Sequence, residues 1–127
     1  MKVVIVDDDP AMLDMVTITV KKKFPEYEVA AYSRPEDARN GYAVDKLLTD
    51  YNLHASINGL DLIKEYQANS PKTHCILMSG GDDIGEAEKY TKELGIDFLQ
   101  KPFDMTKLFE ILSKSYEKVG VNDGSNI

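Results

Sequence analysis

Four short apolar runs in this chain each break off into a polar loop. Val3-Val4-Ile5-Val6 gives way to Asp7-Asp8-Asp9, and Val44-Asp45-Lys46-Leu47-Leu48-Thr49 ends at Asp50. Cys75-Ile76-Leu77-Met78 runs out into Ser79-Gly80-Gly81, and Phe98-Leu99-Gln100 into Lys101-Pro102. Near-continuous apolar runs of this length, rich in branched side chains, are the pattern of parallel strands covered on both faces. Tyr27 to Tyr32 reads as a further, shorter strand.

The stretches between these runs carry helical spacing and helix punctuation. Asp9 suits a cap and Pro10 a first turn for a helix with Met12, Leu13, Val16 and Val20 on one side, stopped at Phe24-Pro25. Ser33-Arg34-Pro35-Glu36 has the form of a capping box for a short helix ending near Asn40-Gly41. Leu60, Ile63 and Tyr66 place a helix from about Leu60 to Asn69, closed by Ser70-Pro71. A fourth helix is expected from about Ile84 to Leu94, with Asp82-Asp83 as its cap and Gly95 as its stop. Asp104 caps a last helix carrying Leu108, Ile111, Leu112 and Tyr116 inward, fading by Val119-Gly120.

Strands and helices therefore alternate, and right-handed crossovers turn that alternation into a parallel sheet covered on both faces. The common order for a five-stranded doubly wound sheet is 2-1-3-4-5, with ligands bound at the carboxyl ends of strands beside the point where the order reverses. That point lies between the first and third strands. Asp7 and Asp8 end one of them and Asp50 ends the other.

The length of 127 residues fits one domain, expected over 1–120, with 121–127 as a flexible tail or the start of a linker. A formal charge of -7 argues against direct nucleic-acid binding or an anionic membrane as the main partner. The one basic run, Lys21-Lys22-Lys23, falls at a helix end, where cations complement the macrodipole. A sole cysteine, Cys75, excludes an internal disulfide and a cysteine metal cluster, and its apolar surroundings mark it as a core residue. Met1 leads directly into a strand with no signal peptide or spanning segment, so a soluble cytoplasmic protein without membrane insertion is expected.

Three carboxylates gathered at one sheet edge repel. Two like charges about 4 Å apart cost roughly 1 kcal/mol in water and about 4 kcal/mol at the effective dielectric of a partly buried site. A hard divalent cation is the natural counter-charge, and Mg²⁺ suits an all-oxygen ligand set that also accepts phosphate. Ser79 and Lys101 bring a hydroxyl and an ammonium to the same rim. Carboxylate, divalent metal, lysine and hydroxyl are the groups phosphoryl transfer needs, with Asp50 as the candidate nucleophile. His54 reads as an exposed loop histidine and not as a ligand or relay residue. Met12 and Met15 read as packing residues.

At Val6-Asp7-Asp8, Leu47-Leu48-Thr49-Asp50, Met78-Ser79-Gly80 and Lys101-Pro102-Phe103 the chain resembles the receiver domain of two-component response regulators, from Lys2 to about Val119. The resemblance implies an α/β, flavodoxin-like doubly wound (βα)5 sandwich. It makes Asp50 the phosphoacceptor, with Mg²⁺ held by Asp7, Asp8, Asp50 and the Asn52 backbone carbonyl. It makes Ser79 the switch hydroxyl, Lys101 its companion lysine and Phe98 the switch aromatic, and it implies a cis Lys101-Pro102 bond. The implied partners are a sensor histidine kinase or phosphotransfer protein as donor and a downstream effector protein or domain as reader. Phosphorylation would alter the surface of helix four, strand five and helix five.

The sequence also departs from the family's pattern. Leu53-His54-Ala55-Ser56-Ile57-Asn58-Gly59 lacks the proline usual a few residues after the acceptor and reads as one residue longer, and Phe98 lacks the hydroxyl of the more familiar tyrosine. Gly81 offers no side chain to obstruct an incoming water and Asn52 could orient one, so fairly quick self-catalysed dephosphorylation is expected. Two other functions compete. A haloacid dehalogenase-type phosphohydrolase would use Asp7 of Asp7-Asp8-Asp9 as nucleophile, but it leaves Asp50 without a use and lacks both a cap domain and an acidic pair after Lys101. A non-phosphorylated binding module of the same fold would carry the acidic cluster as a vestige. A flavin nucleotide binder is disfavoured, because aspartates stand where a phosphate needs donors.

Overall fold

The computed structural model describes residues 1–39 and 43–114. The expected end of the second helix at Asn40-Gly41, the inward Tyr116, the fading at Val119-Gly120 and the tail 121–127 all lie outside those residues. In chain order the elements are β1 (Lys2–Val6), α1 (Pro10–Lys23), β2 (Glu28–Tyr32), α2 (Pro35–Ala38), β3 (Lys46–Asp50), α3 (Gly59–Asn69), β4 (His74–Ser79), α4 (Ile84–Leu94), β5 (Asp97–Gln100) and α5 (Met105–Ser113). All strand pairs are parallel and the sheet order is β2-β1-β3-β4-β5, as the alternation predicts.

The apolar strand runs conceal a period of two that serves two cores. Val4, Val6, Leu47, Cys75 and Leu77 pack with α3 residues Leu60, Leu62, Ile63 and Tyr66 on one face. Val3, Ile5, Leu48, Ile76, Met78 and Leu99 pack with Leu13, Val16 and Val20 of α1 and Leu108, Ile111 and Leu112 of α5 on the other. Alternate side chains of a strand point to opposite faces, so a strand buried on both sides must be apolar at every position. Burial of Cys75 pushes its thiol up to about 12, which fits an inert core residue. Met15 is a correction, since it stands 43% exposed on α1 while Met12 packs against the α1/α5 core.

Helix ends follow local chemistry with two exceptions. Asp9 accepts from the backbone N–H groups of Ala11 and Met12, Asp104 accepts from that of Lys107, and Gly95 closes α4 at φ 64°. The Ser33–Glu36 capping box does not form: Arg34 is the N-cap of α2, and the Glu36 carboxylate accepts from Arg34 Nε at 3.2 Å. Nor does Asp82 or Asp83 cap α4 through its side chain, because Gly81–Asp83 form a single 3₁₀ turn that leads into the helix. The reciprocal box lies at α3, where Asn58 accepts from the Asp61 N–H and Asp61 accepts from the Asn58 N–H. Among the described residues no helix is long and apolar enough to cross a membrane.

Gly59 opens α3 directly against the end of β3. A Cβ there would fall 2.0 Å from the Asp50 carbonyl oxygen and 2.8 Å from its carbonyl carbon, and the Gly59 N–H donates to the Tyr51 carbonyl at 2.8 Å. Gly→Ala in an exposed helix ordinarily stabilises by up to about 1 kcal/mol. Here the sign reverses, because two backbones must part: Gly59→Ala is expected to lower stability by roughly 1–3 kcal/mol, read as a fall in the urea midpoint at unchanged slope.

Candidate functional site

The carboxyl ends of the strands set the site. β1 delivers Asp7 and Asp8 just beyond Val6, and β3 delivers Asp50 as its last residue. Because β1 and β3 pair directly, ligand oxygens of Asp7, Asp8 and Asp50 lie within 4.8 Å of one another. Ser79 is the last residue of β4 and is buried, and Lys101 directly follows β5 and precedes a cis Lys101-Pro102 bond. The Lys101 N–H donates to the Ser79 carbonyl at 2.7 Å, which joins these two strand ends. Gly80 lets them approach, for a Cβ there would lie 3.0 Å from the Lys101 Cβ. Asp7, Asp8, Asp50, Asn52, Ser79 and Lys101 all face one cleft of about 280 Å³. Beside it Gly81 has a φ of 66°, and a Cβ there would meet open space.

Lys101 holds the carboxylates together. Its ammonium donates to Asp7 Oδ2 at 2.9 Å and lies 3.1 Å from Asp50 Oδ1. Asp7 is 1% exposed and its other oxygen accepts from the Asp9 N–H at 3.0 Å. Burial lowers the Lys101 pKa, but the hydrogen bond to Asp7 and the charge of Asp50 outweigh it, so the ammonium is held above the ordinary lysine value. Asp50 is pushed up to about 6, first by burial; Lys101 opposes the rise, and Asp7 and Asp8 add to it. One ammonium does not balance three carboxylates. The donor set is oxygen throughout and closely grouped, which is the chemistry of a hard divalent cation.

Two residues of the loop after Asp50 make contacts that the sequence reading did not foresee. His54 is exposed, as expected, yet its Nδ1 lies 2.6 Å from Asp8 Oδ2, so it is not a bystander. Its φ of 48° places it in the left-handed region, and its N–H donates to Asn52 Oδ1 at 3.3 Å. Tyr51 turns away from the rim into the core, and its hydroxyl donates to Glu86 of α4 at 2.8 Å. Burial, reinforced by Glu86, pushes the Tyr51 phenol up to about 12. The only sequence signal for either residue was its nearness to Asp50. Phe98 lies away from the rim, half-buried on β5, packed against the α3 side of the sheet and lining a groove with Lys107 and Glu110 of α5.

A second charged cluster occupies the opposite end of the sheet, where β3, β4 and β5 begin. The buried Lys46 ammonium donates to the Lys114 carbonyl at 2.9 Å and lies 3.0 Å from His74 Nδ1. His74 Nε2 lies 2.5 Å from Asp97 Oδ2, and Lys114 Nζ donates to Asp97 Oδ1 at 2.8 Å. An ammonium has no acceptor, so Nδ1 takes the Lys46 hydrogen and the Nε2–H donates to Asp97. Burial holds His74 below its ordinary value of 6.5; the Asp97 hydrogen bond opposes this and the Lys46 charge adds to it. Burial would raise Asp97, but its hydrogen bonds to Lys114 and His74 bring it below the usual carboxylate range.

A doubly wound parallel sheet with an acidic group and a lysine at its switch point defines the class of protein. The response regulator receiver domain profile matches residues 3–113, and the chain belongs to that family. The chain is 29% identical over 115 residues to the response regulator protein PilR of Pseudomonas aeruginosa, over 88% of this chain and 25% of PilR. It is 24% identical over 114 residues to the transcriptional regulatory protein FixJ of Bradyrhizobium diazoefficiens, over 87% of this chain and 54% of FixJ. The chain thus spans about a quarter of the length of PilR and about half that of FixJ. A solved response regulator receiver protein from Pseudomonas putida matches with a TM-score of 0.77 at 28% identity, over 90% of this chain and 96% of that one. A receiver domain protein from Clostridium thermocellum, 22% identical with a TM-score of 0.75 over 87% of this chain and 89% of that one, has the same fold.

The two clusters make opposite demands on pH. Asp50, with a folded pKa of about 6 against 3.8 for the free group, binds protons more tightly when folded, so stability is lost as pH rises through that interval. In metal-free buffer above pH 6, Asp50→Asn is expected to be more stable than wild type by on the order of 2–3 kcal/mol. That gap should close toward pH 4 in thermal melts. His74 resists protonation in the fold while the unfolded chain accepts a proton near 6.5. Its contribution is therefore complete above that value and falls below it, by up to about 1.4 kcal/mol per pH unit. Measured in the Asp50→Asn background, that slope should vanish on adding His74→Gln; an unchanged slope would assign the acid limb elsewhere.

Proposed function

We propose that this receiver domain is a phosphorylation-activated switch in which Asp50 takes a phosphoryl group from a partner's phosphohistidine. The observation that carries the reading is the Asp50 carboxylate at a strand end, 3.1 Å from the Lys101 ammonium and within one group with Asp7 and Asp8. Mg²⁺ fits the donor set, and Asp7, Asp8, Asp50 and the Asn52 backbone carbonyl would hold it. When bound it supplies positive charge against the carboxylates and the phosphoryl oxygens.

The rest of the chemistry belongs to the chain. An Asp50 oxygen attacks phosphorus in line; the phosphorus–nitrogen bond breaks, its electron pair leaves with the donor imidazole, and an acyl phosphate forms. Lys101, already placed against Asp50, turns its charge to the phosphoryl oxygens. The Ser79 hydroxyl, on the neighbouring strand end, donates to the same group. Its movement makes room for Phe98 to turn in, and the surface of α4, β5 and α5 changes shape for its reader.

The partners in this reading are a sensor histidine kinase or phosphotransfer protein as donor and an effector protein or domain as reader, in the cytoplasm. PilR and FixJ, which bear regulatory names, extend well beyond the matched region, and an output segment of that kind is what a switch of this form would control. The chain is a regulator with self-catalysed phosphorylation and dephosphorylation, not an enzyme acting on a separate substrate. The expected result with Mg²⁺ and a small acyl phosphate donor is one added phosphoryl group by intact mass on wild type and none on Asp50→Asn. Label kept by Asp50→Asn and lost from Asp7→Asn would make Asp7 the nucleophile. No response to Mg²⁺ or to beryllofluoride would make the domain an unphosphorylated binding module.

A further inference from the structure

The loop from Tyr51 to Asn58 departs most from the family's sequence pattern, and one of its side chains reaches back to the acidic group. His54 stands four residues beyond Asp50 in a left-handed conformation, φ 48°, which a residue with a Cβ adopts only at a cost. The strain is not random. The Asn52 side chain accepts the His54 N–H, the turn aims the ring toward β1, and Nδ1 meets Asp8 Oδ2 at 2.6 Å across 46 positions of sequence.

We propose that His54 is a positioning residue for Asp8, fixing the orientation in which that carboxylate joins Asp7 and Asp50 around a divalent cation. The inference rests on the metal reading of the acidic group and adds to it. Asp7 is already fixed by Lys101 and the Asp9 N–H, and Asp50 is in contact with Lys101. Asp8 is more exposed than either, with 28% of its side chain accessible, and His54 is what anchors it. A carboxylate left to turn about its last torsion must be ordered when a cation binds; one already pinned through an oxygen is not. His54 does this from the wall of the same cleft. Among the described residues the metal-competent group comprises the three aspartates alone, and the ring meets that group through Asp8. Hydrogen bonds of this kind to a metal-binding carboxylate are typically worth 10–100-fold in affinity.

The position offers a clean separation of roles, because the backbone and the ring want different replacements. Glycine relieves the left-handed strain and removes the anchor, whereas asparagine tolerates that conformation and places an amide nitrogen near where Nδ1 stood. Mg²⁺ is titrated calorimetrically into the full chain at one pH, and thermal melts are recorded without metal. The expected result for His54→Gly is a melting temperature at or above that of wild type with Mg²⁺ binding weakened about 10–100-fold. His54→Asn should keep both the stability and most of the affinity. Unchanged or tighter Mg²⁺ binding by His54→Gly overturns the proposal, as does His54→Asn binding no better than His54→Gly. Should the glycine variant not fold, His54→Ala against His54→Asn gives the same comparison. Wild-type protein that binds no Mg²⁺ removes the metal reading itself, a result distinct from any of these.

Discussion

At the carboxyl rim of the sheet one ammonium lies 2.9 Å from Asp7 and 3.1 Å from Asp50, and the arrangement around it follows from the need to place it there. Lys101 comes from the end of β5, while the aspartates come from β1 and β3, with β4 between. The lysine therefore spans the sheet edge across the end of β4. That reach depends on the Lys101 N–H bonding to the Ser79 carbonyl and on Gly80 having no side chain to hold the two segments apart. A carboxylate as buried as Asp7 is tolerable only when paired and hydrogen-bonded. Lys101 and the Asp9 N–H meet that demand on Asp7, and the excess negative charge is left on Asp8 and Asp50, toward the cleft.

The loop after Asp50 is held at several points that share no local sequence logic. Tyr51 donates its N–H to the Met78 carbonyl and accepts from Gly59, which fastens the loop to β4 and to the start of α3. Its ring is buried and its hydroxyl bonds Glu86, so the residue next to the candidate phosphoacceptor is tied to α4. His54 ties the same loop to Asp8. The loop beside Asp50 thus has contacts in both directions, one toward the acidic rim and one toward α4.

The charge network at the far end of the strands gives the fold a second polar anchor. Lys46, His74, Asp97 and Lys114 join the beginnings of β3, β4 and β5 to the end of α5. Lys46 and His74 are 2% exposed, and their burial is acceptable because each polar atom meets a complementary one. The rim sets one ammonium against three carboxylates, whereas the network at the other end sets two ammonium groups against one carboxylate. Burial pushes Asp50 up to about 6, with Asp7 and Asp8 adding to the rise, while burial of Asp97 is outweighed by its hydrogen bonds to Lys114 and His74, which bring it below the usual carboxylate range.

Read alone, the sequence yielded the element order, the parallel sheet and its strand order, because burial on both faces forces a strand to be apolar throughout and each strand end to be marked by a change to polar residues. It also marked Asp7, Asp8, Asp50, Ser79 and Lys101, since each stands where an apolar run breaks off into a polar loop at the carboxyl end of a strand. It misjudged the start of α2, where Ser33 and Glu36 have the spacing of a capping box but Arg34 takes the carboxylate. Tertiary structure alone decided the contacts that join distant segments: His54 with Asp8, Tyr51 with Glu86, and the four-residue network led by Lys46. Periodicity records which side of an element faces the core. It carries no record of which polar groups from remote parts of the chain will meet, because those partners are chosen by packing after the elements have formed.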